Sequence, residues 1–102
     1  MVIQMTLEEI KHLVVTGNYD YSAKVRGLME DGWYSEEDLE TCVCSATGIY
    51  KKERDELGTA LDGFKYVILG KDTHGCLFYT CGKGKKDDKG KLYFFITARK
   101  AD

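Results

Sequence analysis

Cations and aromatic residues alternate along three segments in the second half of the chain, GFKYVILG, CLFYTCGK and KLYFFITARK. Alternate side chains of a strand share a face, so Lys65, Tyr79 and Arg99 fall on one face if the strands pair in an even register. Lysine and arginine bind phosphates and aromatic rings stack on bases, a combination typical of surfaces that bind single-stranded nucleic acid. The alternative is a sheet face that is simply exposed to solvent or covered by a partner.

The same even register sorts the three predicted strands into two faces. The even face, which we expect to pack on helices, carries Phe64, Tyr66, Ile68, Phe78, Thr80, Leu92, Phe94, Ile96 and Ala98. The odd face carries Lys65, Val67, Leu69, Tyr79, Cys81, Lys83, Tyr93, Phe95, Thr97 and Arg99. The segment GKGKKDDKG is predicted as a hairpin loop that extends this cationic surface, so Lys83, Lys85 and Lys86 are RNA-binding candidates together with Tyr93 of the odd face. Lys52, in the predicted edge strand, is a further candidate.

The four cysteines raise the alternative of a zinc site. Structural zinc sites favour cysteines two to four residues apart on turns, whereas Cys42 and Cys44 fall in a predicted helix and point in different directions. Cys76 and Cys81 have opposite parity, so a regular strand sends them to opposite faces. We therefore expect free thiols and no metal or other cofactor, and we interpret His74 as a turn residue rather than a catalytic base.

Length and charge limit the possible classes of protein. A chain of 102 residues is predicted to form one domain, residues 1–102, with 43% apolar and 31% charged residues. Residues 1–47 hold three Lys or Arg against nine Asp or Glu, and residues 48–102 hold twelve against eight, so −6 and +4 give the net −2. No signal peptide and no apolar run of membrane-spanning length is visible, which favours a cytoplasmic protein that does not enter membranes.

Capping residues and periodicity predict the elements that would position these side chains. Thr6 caps a first helix that ends at Gly17, a second runs from about Asp20 to Asp31, and Ser35 caps a third that ends at Gly48. The predicted inward residues are Leu7, Ile10 and Val14; then Val25, Leu28 and Met29; then Leu39, Cys42, Val43 and Ala46. From residue 48 the period changes to two, with GIYKKERDEL as an edge strand or an arm. We predict an α+β domain in which three N-terminal helices pack on one face of a three- or four-stranded antiparallel sheet.

Four strings resemble the MqsR/RelE-like group of toxins from bacterial toxin–antitoxin systems, especially relatives encoded beside zinc-finger antitoxins: IKHLVVTGNYDYSAKVR, EEDLETCV, YVILGKDTHGCLFYTCGK and YFFITARK. The resemblance covers nearly the whole chain. Part of that group has a histidine at the start of the second helix, where this chain reads DYSAKVR. Its characterised toxins also tend to be basic, whereas this chain has a net charge of −2.

The resemblance implies a toxin that cleaves mRNA without a metal, with lysine, arginine and tyrosine side chains doing the chemistry. Carried onto this sequence, the catalytic residues are Lys51 (or Lys52), Lys65 (or Tyr66), Tyr79 and Arg99. The implied partners are a cognate antitoxin and the RNA substrate; the oligomeric state stays open. The alternative is a non-catalytic module of the same fold that binds a protein or RNA through its basic sheet face.

Overall fold

Three helices and a five-stranded mixed sheet make up this α+β chain in a computed structural model that describes residues 4–101. The helices are α1 (Leu7–Val15), α2 (Ala23–Glu30) and α3 (Glu36–Ser45). The strands are β1 (Tyr19–Tyr21), β2 (Lys51–Arg54), β3 (Phe64–Lys71), β4 (Leu77–Asp87) and β5 (Gly90–Lys100), in the order β1-β5-β4-β3-β2. The predicted class is confirmed, and four antiparallel strands are present, but the sheet has a fifth strand that was not predicted, because β1 pairs parallel to β5.

The helices begin at hydroxyl caps, as local sequence dictates. The Thr6 hydroxyl accepts a hydrogen bond from the Glu9 amide at 3.1 Å, and Ser22 and Ser35 cap α2 and α3 in the same way. The inward residues predicted for α3 are all buried: Leu39, Cys42, Val43 and Ala46. These helical stripes meet one face of the sheet and form a single apolar core with it.

Asp38 joins the start of α3 to the β3–β4 turn. Its carboxylate accepts the Ser35 amide at 2.9 Å, and the Thr73 amide and hydroxyl at 2.9 and 2.8 Å. Burial alone would raise the pKa of Asp38, but the hydrogen bonds from Ser35 and Thr73 lower it to about 2. The carboxylate is therefore charged at neutral pH although it is buried.

Strand β1 was not predicted, because residues 20 and 21 were assigned to the second helix. Tyr19 and Tyr21 instead lie opposite Tyr93 and Phe95 of β5, and α2 starts only after Ser22. The Tyr19 ring packs edge-on against Phe95 at 5.6 Å between centroids. This tertiary contact and the preference of tyrosine for strands outweigh the helical propensity of residues 20 and 21, which therefore join the sheet.

The long hairpin of β4 and β5 corrects two further predictions. Most of the predicted loop GKGKKDDKG is strand, since β4 continues to Asp87 and β5 starts at Gly90. Opposite β4, Thr97 pairs with Cys81 and Phe95 pairs with Gly82, so Ile96 has no partner and forms a bulge.

The bulge reverses the faces of β5 before residue 96, so the predicted face assignment is wrong there. Tyr93 and Phe95 are fully buried under the helices, and Leu92 and Phe94 point to the opposite face. Gly82 makes room for this arrangement, because a Cβ at that position would lie 2.5 Å from the Tyr93 ring. Within residues 4–101, no helix is both long and apolar enough to span a membrane.

Candidate nucleic-acid interface

We call the sheet face opposite the helices the open face. Strand pairing places three of its members side by side near the centre of this face: Val67 on β3, Cys81 on β4 and Thr97 on β5. The full set is Asp20, Lys51, Glu53, Lys65, Val67, Leu69, Tyr79, Cys81, Lys83, Lys85, Leu92, Phe94, Thr97 and Arg99. It contains five cations and two acids. Asp55 neutralises one of the cations, Lys83, and the other four still leave this face positively charged although the chain as a whole is not.

Tyr79 and Arg99 form the best-defined pair on the open face. They are direct partners across β4 and β5, and the Arg99 guanidinium carbon lies 5.1 Å from the centroid of the Tyr79 ring. Burial, with smaller contributions from Cys81 and Glu53, raises the pKa of the Tyr79 hydroxyl despite Arg99 nearby. The hydroxyl is therefore protonated at neutral pH and can donate a proton or a hydrogen bond. Arg99 is exposed and can bind an anion.

Lys65 shares the open face with this pair, as predicted, and Lys51 lies there too, but the two lysines do not converge on the pair. Strand spacings put the Lys51 Cα roughly 12 Å and the Lys65 Cα roughly 14 Å from the Tyr79 Cα. Glu53 stands between the two lysines: it is the cross-strand partner of Lys65, and its carboxylate lies 3.8 Å from Lys51 Nζ. The four predicted catalytic residues thus form a band across three strands rather than one compact pocket.

Lys83 is a buried structural cation, and the prediction that it contacts RNA does not fit its surroundings. Its ammonium lies 3.3 Å from the Asp55 carboxylate and 2.5 Å from the Thr59 hydroxyl, and the two charged side chains are 5% and 1% exposed. Asp55 also accepts the backbone N–H groups of Thr59 and Ala60. Although burial disfavours the anion, the hydrogen bonds from Ala60 and Lys83 lower the pKa of Asp55. The loop after β2 therefore neutralises Lys83 and covers it.

The other predicted RNA-binding residues separate to the two sides of the sheet. Lys85 is on the open face, with its ammonium 4.5 Å from the centroid of the Phe94 ring. Lys86 alternates to the helix side, opposite Lys91. Lys52 also lies on the helix side, opposite the buried Tyr66, and Tyr93 is in the core. Lys86 and Tyr93 were expected on the basic face and are not there, because that expectation depended on a loop and on an uninterrupted register.

The cysteines occupy four separate environments. Cys42 is buried in the core, where its sulfur lies 3.4 Å from the Phe78 carbonyl oxygen, and Cys81 is buried on the open face. Cys44 and Cys76 are exposed, and all four are free thiols. Across the part of the chain that the structure describes, no group of three or more His, Cys, Asp or Glu is placed to hold a metal ion.

A concave surface lies away from the open face. It is a groove of about 770 Å³ between the α2–α3 connection and the β3–β4 turn. Arg26, Trp33 and Lys100 line it together with His74, which is exposed in the turn. A smaller groove of about 370 Å³ adjoins it and shares Trp33 and Lys100.

Sequence reasoning missed the acids that decide which lysines are available. Glu53 and Asp55 appear in the sequence only as part of the mixed-charge run KKERDEL. Alternation along β2 could have placed Glu53 beside Lys51, but nothing local indicates that Asp55 meets Lys83, 28 residues away. The grooves were also missed, because Trp33 stands alone between two helices.

Comparisons of this chain with protein-family models, with curated proteins and with solved structures found no match. The resemblance to MqsR/RelE-like toxins therefore rests on the residues of this chain.

Proposed function

We propose that this chain is a cytoplasmic toxin of a type II toxin–antitoxin system that cleaves RNA without a metal, with an MqsR/RelE-like fold. The observation that carries the proposal is the Tyr79–Arg99 pair on a sheet face that also presents Lys51 and Lys65. A cognate antitoxin would inhibit the toxin by covering this face.

The chemistry follows from the roles that RNA cleavage requires. A base removes the 2′-OH proton, the oxygen attacks the neighbouring phosphorus, and the 5′-oxygen leaves with a proton. Arg99 would bind the phosphate and stabilise charge on the phosphorane. Tyr79, protonated at neutral pH, would donate the proton to the leaving oxygen. Lys51, whose ammonium is ion-paired with Glu53, would add a second positive charge near the phosphate, and Lys65 would contact the RNA backbone further along. Solvent at this exposed face would accept the 2′-OH proton.

Two substitutions test the enzyme directly. Purified protein should cleave single-stranded RNA in excess EDTA, and induction of the chain alone should arrest growth. Tyr79→Phe removes one hydroxyl, and Arg99→Ala removes one phosphate contact. Each should slow cleavage by about tenfold to several hundredfold, the scale of one lost transition-state contact or proton donor. Metal-free cleavage that survives the double substitution in a folded protein would falsify the site.

Adjacent lysines of β4 provide a matched test of RNA binding. Lys85→Ala changes the open face, whereas Lys86→Ala removes the same charge from the helix side one residue away. RNA affinity should fall with Lys85→Ala and change little with Lys86→Ala, and it should weaken as salt rises. Equal effects of the two substitutions would place the RNA elsewhere.

A second candidate is a non-catalytic module that binds RNA or a protein partner through the open face. It is favoured by the pairing of acids with cations, since Glu53 lies beside Lys51 and Lys65 and the band has no compact catalytic centre. Such a module would bind without cleaving RNA, and its expression would not arrest growth. Intact binding with no cleavage by the wild-type chain decides for this candidate.

A further inference from the structure

One edge of the sheet ends without a neighbour. Strand β1 covers β5 only opposite residues 93–95, and no other strand within residues 4–101 pairs with β5 on that side. The alternation of hydrogen bonds along β5 shows which backbone groups point toward β4 and which point toward this edge. The Ala101 amide bonds the Leu77 carbonyl, so alternate residues of β5, including Arg99, bond β4. The N–H and C=O groups of Ala98 and Lys100 therefore point away from β4, toward the free edge.

A groove of about 370 Å³ runs along this edge. Leu28 of α2 and the aromatic residues Trp33 and Tyr34 form its apolar side, and residues 98–100 of β5 form the other. Trp33, the only tryptophan of the chain, is 66% exposed, which is unusual for so large an apolar side chain. An exposed aromatic side chain beside unpaired strand groups is the arrangement found where extended peptides add to a sheet.

The opposite edge of the sheet, formed by β2, is also unpaired within residues 4–101 and has an exposed aromatic neighbour, Tyr50, but it differs in charge and has no groove beside it. Strand β2 carries the run KKER, and charged residues at an edge disfavour pairing with another strand. Neither groove described above reaches β2. The two edges therefore differ in chemistry, and among the residues that the structure describes only the edge at the end of β5 combines free backbone groups with an apolar wall.

We propose that this edge binds an extended segment of a partner protein, which adds to β5 as a sixth strand. Side chains of the added strand would alternate between two surroundings. Those opposite Ala98 and Lys100 would enter the groove against Leu28 and Trp33 and should be apolar. The side chain opposite Arg99 would lie on the open face beside the guanidinium and should be acidic. The recognised pattern is thus apolar–acidic–apolar.

The exposure of the β5 residues determines where the partner segment binds first. Lys100 is exposed, whereas Ala98 is 1% exposed. The segment therefore docks first at Lys100, and the side chains that line the groove must part for it to reach the outward groups of Ala98. A second copy of this chain is a poor occupant, because it would bring the Arg99 and Lys100 cations of both copies together along one short edge.

The test uses the intact chain and a defined probe, a dye-labelled, amidated hexapeptide of alternating valine and aspartate. Fluorescence anisotropy should show saturable binding that weakens with salt, because the aspartates meet cations. In ¹⁵N spectra, the Lys100 amide should become protected from exchange on binding. The Arg99 amide, already bonded to β4, should keep its exchange rate. RNA cleavage has no part in either readout, so this proposal and the proposed function fail independently.

Two variants serve as a matched pair. Trp33→Ala removes the groove wall and should weaken peptide binding by about tenfold, the usual effect of losing an aromatic contact at the centre of an interface. Tyr50→Ala removes an equally exposed aromatic residue next to β2 and should leave affinity unchanged. A peptide N-methylated on alternate amides should not bind, because it cannot complete the strand pairing.

Four outcomes overturn the proposal: no binding at millimolar peptide, equal affinity of the Trp33→Ala variant, binding without protection of Lys100, or an unchanged affinity for the N-methylated peptide. Sedimentation of the free chain provides one more. A dimer that shields the Lys100 amide would assign this edge to a second copy.

Discussion

Replacing Lys83 with methionine should cost this protein stability rather than RNA affinity. The Lys83 and Asp55 side chains are 5% and 1% exposed, and their charged atoms lie 3.3 Å apart. Lys83→Met keeps most of the side-chain volume but leaves the Asp55 carboxylate buried without its cation. Removing one partner of a buried ion pair typically costs about 3–5 kcal/mol. Because Asp55 keeps its hydrogen bonds from Thr59 and Ala60, we expect the lower end, about 3 kcal/mol.

Urea denaturation followed by circular dichroism measures this loss. With a urea dependence of about 1–1.5 kcal/mol/M, typical of a small domain, a loss of about 3 kcal/mol lowers the midpoint by about 2–3 M. The melting temperature should fall by about 12–24 °C, from about 4–8 °C per kcal/mol for a domain of this size.

The effect should also depend on pH. In the wild type the pKa of Asp55 lies below its ordinary value, so the carboxylate stabilises the fold above that value, and the stabilisation is lost as pH falls through the folded-state pKa. Without Lys83 this pKa depression shrinks or disappears. The stability difference between wild type and Lys83→Met should therefore be largest near neutral pH and decrease below about pH 4.

Two further variants separate the ion pair from general damage. Asp55→Asn combined with Lys83→Met should recover part of the loss, since no unpaired charge stays buried, and the double-mutant cycle should give a coupling of about 1–3 kcal/mol. Lys85→Met, on the same strand but half-buried, should cost under about 1 kcal/mol. If Lys83→Met loses less than about 1 kcal/mol yet weakens RNA binding, Lys83 is solvated and our reasoning about its burial is wrong.

Three other substitutions have effects fixed by local geometry. Asp38→Asn should remove roughly 2 kcal/mol of stability at neutral pH and flatten the loss that the wild type shows between about pH 4 and 2, measured by urea titration at each pH. Gly70→Ala should destabilise more than Gly84→Ala in thermal melts, because the new Cβ would meet the Cys42 backbone oxygen at 2.0 Å in the first case and a flexible methionine side chain in the second. Equal melting temperatures would contradict this. Tyr93→Phe should keep or raise stability by up to about 1 kcal/mol, since the buried hydroxyl has no hydrogen-bond partner among residues 4–101. A loss of RNA affinity in a stable Tyr93→Phe protein would instead place that ring at the interface.

The sequence by itself determined the helices, the open-face position of Lys65, Tyr79 and Arg99, and the class of fold. These features depend on local information. A hydroxyl caps the next turn of its own helix, apolar residues repeat every three or four positions, and strand side chains alternate. The register of β3 with β4 is regular, so alternation was enough to place Lys65 and Tyr79 on one face.

Only the tertiary structure decided the side of Tyr93, the burial of Lys83 and the free edge of β5. Tyr93 turns inward because Ile96 is unpaired opposite β4, and a bulge reflects how two strands meet rather than the composition of either. Lys83 is neutralised because a loop that starts 28 residues earlier brings Asp55 against it. Such contacts depend on how distant segments pack, and no local period or cap carries that information.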